Sequence, residues 1–97
     1  MLKIPKVIEW RPSARKDLFE IIKYIGKDSS FTAQIFSEKI KEKISVLSEH
    51  PELGRMGVVN GTRELVIHSN YVIIYEIRVA KIEIVRIKHA ARTYETF

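Results

Sequence analysis

The chain has no cysteine, a single tryptophan, three prolines and four glycines. Without cysteine there is no disulfide framework, no thiolate nucleophile and no cysteine-ligated zinc. The histidines, His50, His68 and His89, lack the spacing of metal ligands. No GxxxxGKS/T or GxGxxG run is present, so the common phosphate-cradling loops are excluded. No apolar run approaches the roughly 18 residues of a membrane span, and Met1 to Lys6 contains no apolar stretch of signal-peptide length. These absences point to a cytoplasmic protein with no metal and no cofactor.

What is present begins with size and charge. Ninety-seven residues make one small domain, taken as 1–97. The net charge is +5, which favours polyanionic or acidic partners. The cations are unevenly divided. Residues 1–50 carry eight lysines and two arginines, whereas residues 51–97 carry two lysines and five arginines. Lysine-rich helices present a wetted face, while arginine forks suit two-pronged contacts to phosphate or carboxylate. The second half is therefore the better binding surface.

Hydropathy patterning gives the elements. Lys6 to Trp10 reads as a strand, and Pro12 starts a helix at the position where its missing N–H costs nothing. Ala14, Leu18, Ile21, Ile22 and Ile25 form one face of that helix, which Gly26 ends. Ser30 or Thr32 caps a second helix with the stripe Ala33, Phe36, Ile40, Ile44 and Leu47, stopped by Pro51. Glu52 to Gly61 reads as loop. Three strands follow: Glu64 to Ile67, Tyr71 to Val79 with its odd positions apolar, and Ile82 to Ile87, whose buried face the pattern does not assign. The expectation is an α+β fold ordered strand–helix–helix–strand–strand–strand. Its antiparallel sheet has an N-terminal helical hairpin on one face and a partly free opposite face near the arginines.

The densest polar cluster is Arg86-Ile87-Lys88-His89-Ala90-Ala91-Arg92. A histidine titrates near neutral pH, so His89 could take the proton of a ribose 2′-hydroxyl while Arg63 and Arg92 hold the phosphate. Equally, His89 could bond a backbone carbonyl at a strand end, and Arg63 could pair with Glu64, Glu76 or Glu83. Arg55 suits either ligand binding or pinning its own loop. Tyr71, Tyr75 and Trp10 read as core, while Tyr94 and Phe97 could stack on a base or patch the domain's own surface.

The ordered set Ala14, Asp17-Leu18, Ile21 to Ile25, Pro51-Glu52-Leu53-Gly54-Arg55, Gly61-Thr62-Arg63-Glu64-Leu65, Tyr71 to Tyr75 and Arg86 to Arg92 resembles the RelE/ParE superfamily of type II toxins. The resemblance spans nearly the whole chain and implies the same α+β fold and a partly disordered cognate antitoxin. That antitoxin would fold on the helical hairpin and sheet edge. RelE-like members are ribosome-dependent mRNA interferases, whereas ParE-like members act on DNA gyrase. RelE-type nucleases tend to carry arginine just after the first tyrosine of the Tyr71–Tyr75 run, and here that residue is Val72. The Pro-Glu-Leu-Gly-Arg loop and the Arg-Ile-x-His ending are closer to ParE and plasmid-stabilisation toxins. The resemblance thus implies a gyrase-directed toxin that acts by binding, with Arg55, Arg63, Arg86, Lys88, His89, Arg92 and Tyr94 as its contact surface. The alternative is a metal-independent endoribonuclease using His89, Arg63 and Arg92. A third reading is a basic nucleic-acid-binding domain without toxicity.

Overall fold

A computed structural model describes residues 4–68 and 70–90. The elements are β1 (Val7–Trp10), α1 (Pro12–Gly26), α2 (Ser30–Leu47), a single 3₁₀ turn (Pro51–Leu53), β2 (Arg55–Met56), β3 (Arg63–His68), β4 (Tyr71–Ile77) and β5 (Lys81–His89).

Local chemistry explains the helix ends. Arg11 is extended and Pro12 follows as the first helical residue of α1, its ring already at a helical φ. The cap of α2 is Ser29, ahead of both expected residues, Ser30 and Thr32. Ser29 is extended, and its hydroxyl accepts the Thr32 N–H at 3.1 Å, while Ser30 is already helical. From α2, Ala33, Ile40, Ile44 and Leu47 are buried, as the stripe predicts, with Phe36 packed at the margin. From α1, Ala14 is fully buried, and Leu18 and Ile21 pack against the same core.

The sheet order is β1-β5-β4-β3-β2. Strands β3, β4 and β5 form the expected antiparallel meander. The sheet as a whole is mixed, because β1 runs parallel to β5, from Val7 opposite Lys81 to Trp10 opposite Ile84. A parallel partner needs a long crossover, and here everything between residues 10 and 81 supplies it. The stretch expected to be loop holds a further strand. Arg55 and Met56 pair with Glu64 and Arg63, and Gly57 N–H closes the turn on the Thr62 carbonyl at 2.8 Å. Gly61, at φ +87°, supplies the left-handed residue this turn requires.

The ambiguous face of the last strand has a physical cause. Ile84 pairs with Tyr75 and Arg86 with Ile74, which leaves Val85 as an extra, unpaired residue. This bulge reverses the alternation. Ile82 and Ile84 face the helices before it, and Ile87 after it, all three joining Leu65, Ile67, Ile73 and Tyr75 in the core. The far side of the sheet is less open than the sequence suggests, since Val72 and Ile74 are 1% and 0% exposed. No described helix is long and apolar enough to cross a membrane.

Candidate functional site

The sequence-selected residues fall in two separate places. The first surrounds the 3₁₀ turn. Arg63 lies opposite Tyr75, hence on the helix side of the sheet, and its guanidinium donates to the carbonyls of Gly54 at 2.8 Å and Glu52 at 3.4 Å. None of the expected carboxylates is its partner among the described contacts. Tyr75 is fully buried. Its hydroxyl donates to the Pro51 carbonyl at 2.6 Å and accepts the Gly54 N–H at 2.8 Å. Burial pushes that phenol above its usual pKa. Arg55 reaches the buried Glu64 carboxylate at 3.1 Å, and the second oxygen of Glu64 accepts the Val58 N–H at 3.3 Å. Both arginines are thus engaged in holding residues 52–58 to the sheet.

The second place is a cleft of about 620 Å³ between α1 and the distal ends of β4 and β5. It exists because β1 stops opposite Ile84 while β5 continues to His89. Over those last residues α1 substitutes for a neighbouring strand. The Ser13 hydroxyl donates to the Val85 carbonyl at 2.9 Å, and Asp17 Oδ2 accepts the Ile87 N–H, also at 2.9 Å. Arg86 is opposite Ile74, so it leaves β5 on the side away from the core. Its guanidinium nevertheless meets Asp17 with two prongs, Nε to Oδ2 at 2.7 Å and Nη2 to Oδ1 at 3.1 Å. That hydrogen bond holds Arg86 protonated more firmly than an ordinary arginine. Lys88 shifts the other way, lowered first by burial and then by the neighbouring Arg86. His89 pairs with Tyr71 across the strands, and their rings meet edge-on at 5.4 Å. Tyr71 in turn meets Phe36 at 5.1 Å. Glu20, Ile21 and Tyr24 complete the helical wall.

The cleft therefore unites Arg86, Lys88 and His89 but neither Arg63 nor Arg55. Arg63 and His89 flank β4 on opposite sides, four residues apart along it, which places their Cα atoms on the order of 15 Å apart. Arg92 and Tyr94 lie outside the described residues. The central residue that sequence reasoning passed over is Asp17. Its signal was its position: it follows Ala14 by three and precedes Ile21 by four, so a carboxylate sits within the apolar stripe of α1. Such a group is costly to bury unless it is paired. A smaller, mostly apolar groove of about 280 Å³ adjoins the cleft, lined by Tyr24, Ile25, Ile35 and Phe36 with Lys39 at its rim. Among the described residues no group of three histidines or carboxylates is placed to hold a metal ion.

Comparison with known proteins identifies the family and agrees with the fold. The profile described as the ParE toxin of the type II toxin–antitoxin system, parDE, matches residues 8–94. Toxin RelE2 of Caulobacter vibrioides is 40% identical over 85 residues, covering 88% of this chain and 96% of that protein. Among solved structures, the chromosomal ParDE system from P. aeruginosa superposes with a TM-score of 0.78 at 22% identity, over 90% of this chain and 98% of that one. A chain of the toxin–antitoxin complex RelBE2 from Mycobacterium tuberculosis gives 0.66 at 20% identity, over 93% and 97%. With the profile spanning nearly every described element, the chain belongs to the ParE toxin family of type II toxin–antitoxin systems, within the RelE/ParE superfamily.

Proposed function

We propose that this toxin arrests growth by binding DNA gyrase, and that it does not itself cut RNA. The observation that carries the reading is the commitment of the arginines. A nuclease of the expected kind needs His89 and Arg63 to converge on one phosphate, and Arg63 is instead spent on the Glu52 and Gly54 carbonyls. Arg86, the arginine nearest His89 among the described residues, gives both prongs to Asp17. Val72, in the place where RelE-type nucleases tend to carry arginine, is fully buried. The contact surface in this reading is the cleft with Arg86, Lys88 and His89, with Arg55 at a remote edge, and the sequence candidates Arg92 and Tyr94 belong to the same reading. The protein works in the cytoplasm as a single domain without a cofactor. It is silenced by a cognate antitoxin that orders on the helical hairpin, where the groove of Ile25, Ile35 and Phe36 offers an apolar seat.

The deciding experiment is supercoiling of relaxed plasmid by purified gyrase with and without the folded toxin. Lost supercoiling or trapped cleaved DNA is the expected outcome, and normal supercoiling at a large excess of toxin overturns the reading. The second reading, a ribosome-dependent mRNA interferase, draws on the RelE2 name of the 40% identical relative. It is separated by His89→Ala. General acid–base work would lose about 10²-fold or more in cleavage rate, whereas a binder retains most of its inhibition. Growth arrest on expression, relieved by the antitoxin, excludes a non-toxic nucleic-acid-binding domain.

A further inference from the structure

The cleft beside β5 is locally balanced in charge, although the whole chain carries +5. Arg86 and Lys88 on its strand side face the carboxylates of Asp17 and Glu20 on its helical wall. Asp17 makes three contacts at once, two with the Arg86 fork and one with the Ile87 N–H. The pair is partly withdrawn from water, with side-chain exposures of 29% for Arg86 and 14% for Asp17. A phosphate approaching Arg86 would find its Nε–Nη2 edge occupied and its charge already matched by Asp17, and would face two carboxylates as it drew near. Removing one partner of a desolvated pair costs much more than forming the pair gains.

We propose that Asp17 is the specificity-determining residue of this cleft. By holding the Nε–Nη2 edge of Arg86 and matching its charge, it disfavours nucleic-acid phosphate and leaves the cleft to a polypeptide target. The proposal rests on the binder reading above and names the class of ligand that the same site accepts and refuses. The geometry suits the role, because the Ile87 N–H fixes Asp17 from below and the carboxylate cannot rotate away without losing a backbone bond as well.

The test is fluorescence anisotropy with a short single-stranded RNA of mixed sequence, run across a salt series on the full chain. Asp17→Asn keeps an oxygen for the Ile87 N–H and removes the charge that ties Arg86. It is expected to bind the RNA about tenfold tighter than the unsubstituted toxin, with a salt slope steeper by about one phosphate contact. Adding Arg86→Gln to that variant is expected to abolish the gain. Glu20→Gln removes a carboxylate from the same wall without releasing Arg86, so it is expected to leave the slope unchanged. An Asp17→Asn protein that binds RNA no tighter, or a Glu20→Gln protein with the same gain and slope, overturns the proposal. Should Asp17→Asn fail to fold, the Arg86 Nε–H resonance of the unsubstituted toxin decides. A signal unmoved by added RNA supports the proposal, and one that shifts overturns it. The gyrase assay on unsubstituted toxin reports on the binder reading alone, so the two failures are distinguishable.

Discussion

At the scale of single residues, the Pro-Glu-Leu-Gly-Arg loop is anchored in the core by one phenol, beside the Arg63 and Arg55 contacts. The Tyr75 hydroxyl serves the Pro51 carbonyl and the Gly54 N–H together, deep in the core. Tyr75→Phe leaves both backbone groups buried and unserved, and is expected to cost about 1–3 kcal/mol, read as a lower urea midpoint at unchanged slope. Gly54 has no room for a methyl group, because a Cβ there would lie 2.7 Å from the Tyr75 oxygen and 2.9 Å from the Glu64 carbonyl. Gly54→Ala should therefore destabilise by roughly 1–3 kcal/mol in the same measurement; an unchanged midpoint would show that the loop yields more easily than this contact implies. The sequence made Tyr75 legible as core and Gly54 as part of a motif, but not the bond between them, since nothing local records a contact across twenty-one residues. The same limit hid Arg63 and Asp17. Arg63 could have held phosphate or paired with a carboxylate, and only the fold reveals that carbonyls have claimed its fork and a helical carboxylate that of Arg86.

At the scale of elements, amphipathic patterns were the readable part. The stripe Ala33, Ile40, Ile44, Leu47 was placed correctly, because burial on one face imposes a period. In β4 the odd residues 71–77 do reach the core, but Val72 and Ile74 are buried on the other face as well, and Val79, expected in the strand, lies beyond its end and is exposed. The parallel pairing of β1 with β5 has no such local signature, and the Val85 bulge erased the period of β5. Ser29 is testable here: Ser29→Ala removes the cap of α2 and is expected to cost about 1 kcal/mol, seen in the thermal midpoint. A second test concerns the seam between β4 and β5, where Glu76 and Glu83 sit directly opposite each other. Like charges so placed repel, and Arg11 and Arg78 each reach both carboxylates. The bonds from Arg78 and then Arg11 draw Glu83 from an ordinary 4.5 down to about 2. The folded protein thus releases this proton more readily than the unfolded chain. The stabilisation is complete above about pH 4.5 and is lost as pH falls toward 2. Denaturation midpoints should decline through that window, and Glu83→Gln should shrink the decline; an acid limb identical in the variant would assign the loss to other groups.

At the scale of the whole molecule, the ends of the fold depend on each other. Among the described residues β1 pairs only with β5, its main chain entering through Val7 opposite Lys81. Lys6 adds bonds from its ammonium to the Arg78 and Val79 carbonyls, and its own carbonyl accepts the Ser48 hydroxyl. A fragment of residues 1–80 therefore has both helices but lacks the strand that joins β1 to the sheet and forms one side of the cleft. Hydrogen exchange on that fragment should show no slowly exchanging amide core, and strong protection in it would mean the helical hairpin folds without β5. The β1–β5 pairing also bears on how such a protein is made. While a ribosome is still translating it, the first strand and both helices emerge ahead of β5, so the cleft that β5 lines cannot close until residues 81–89 have followed.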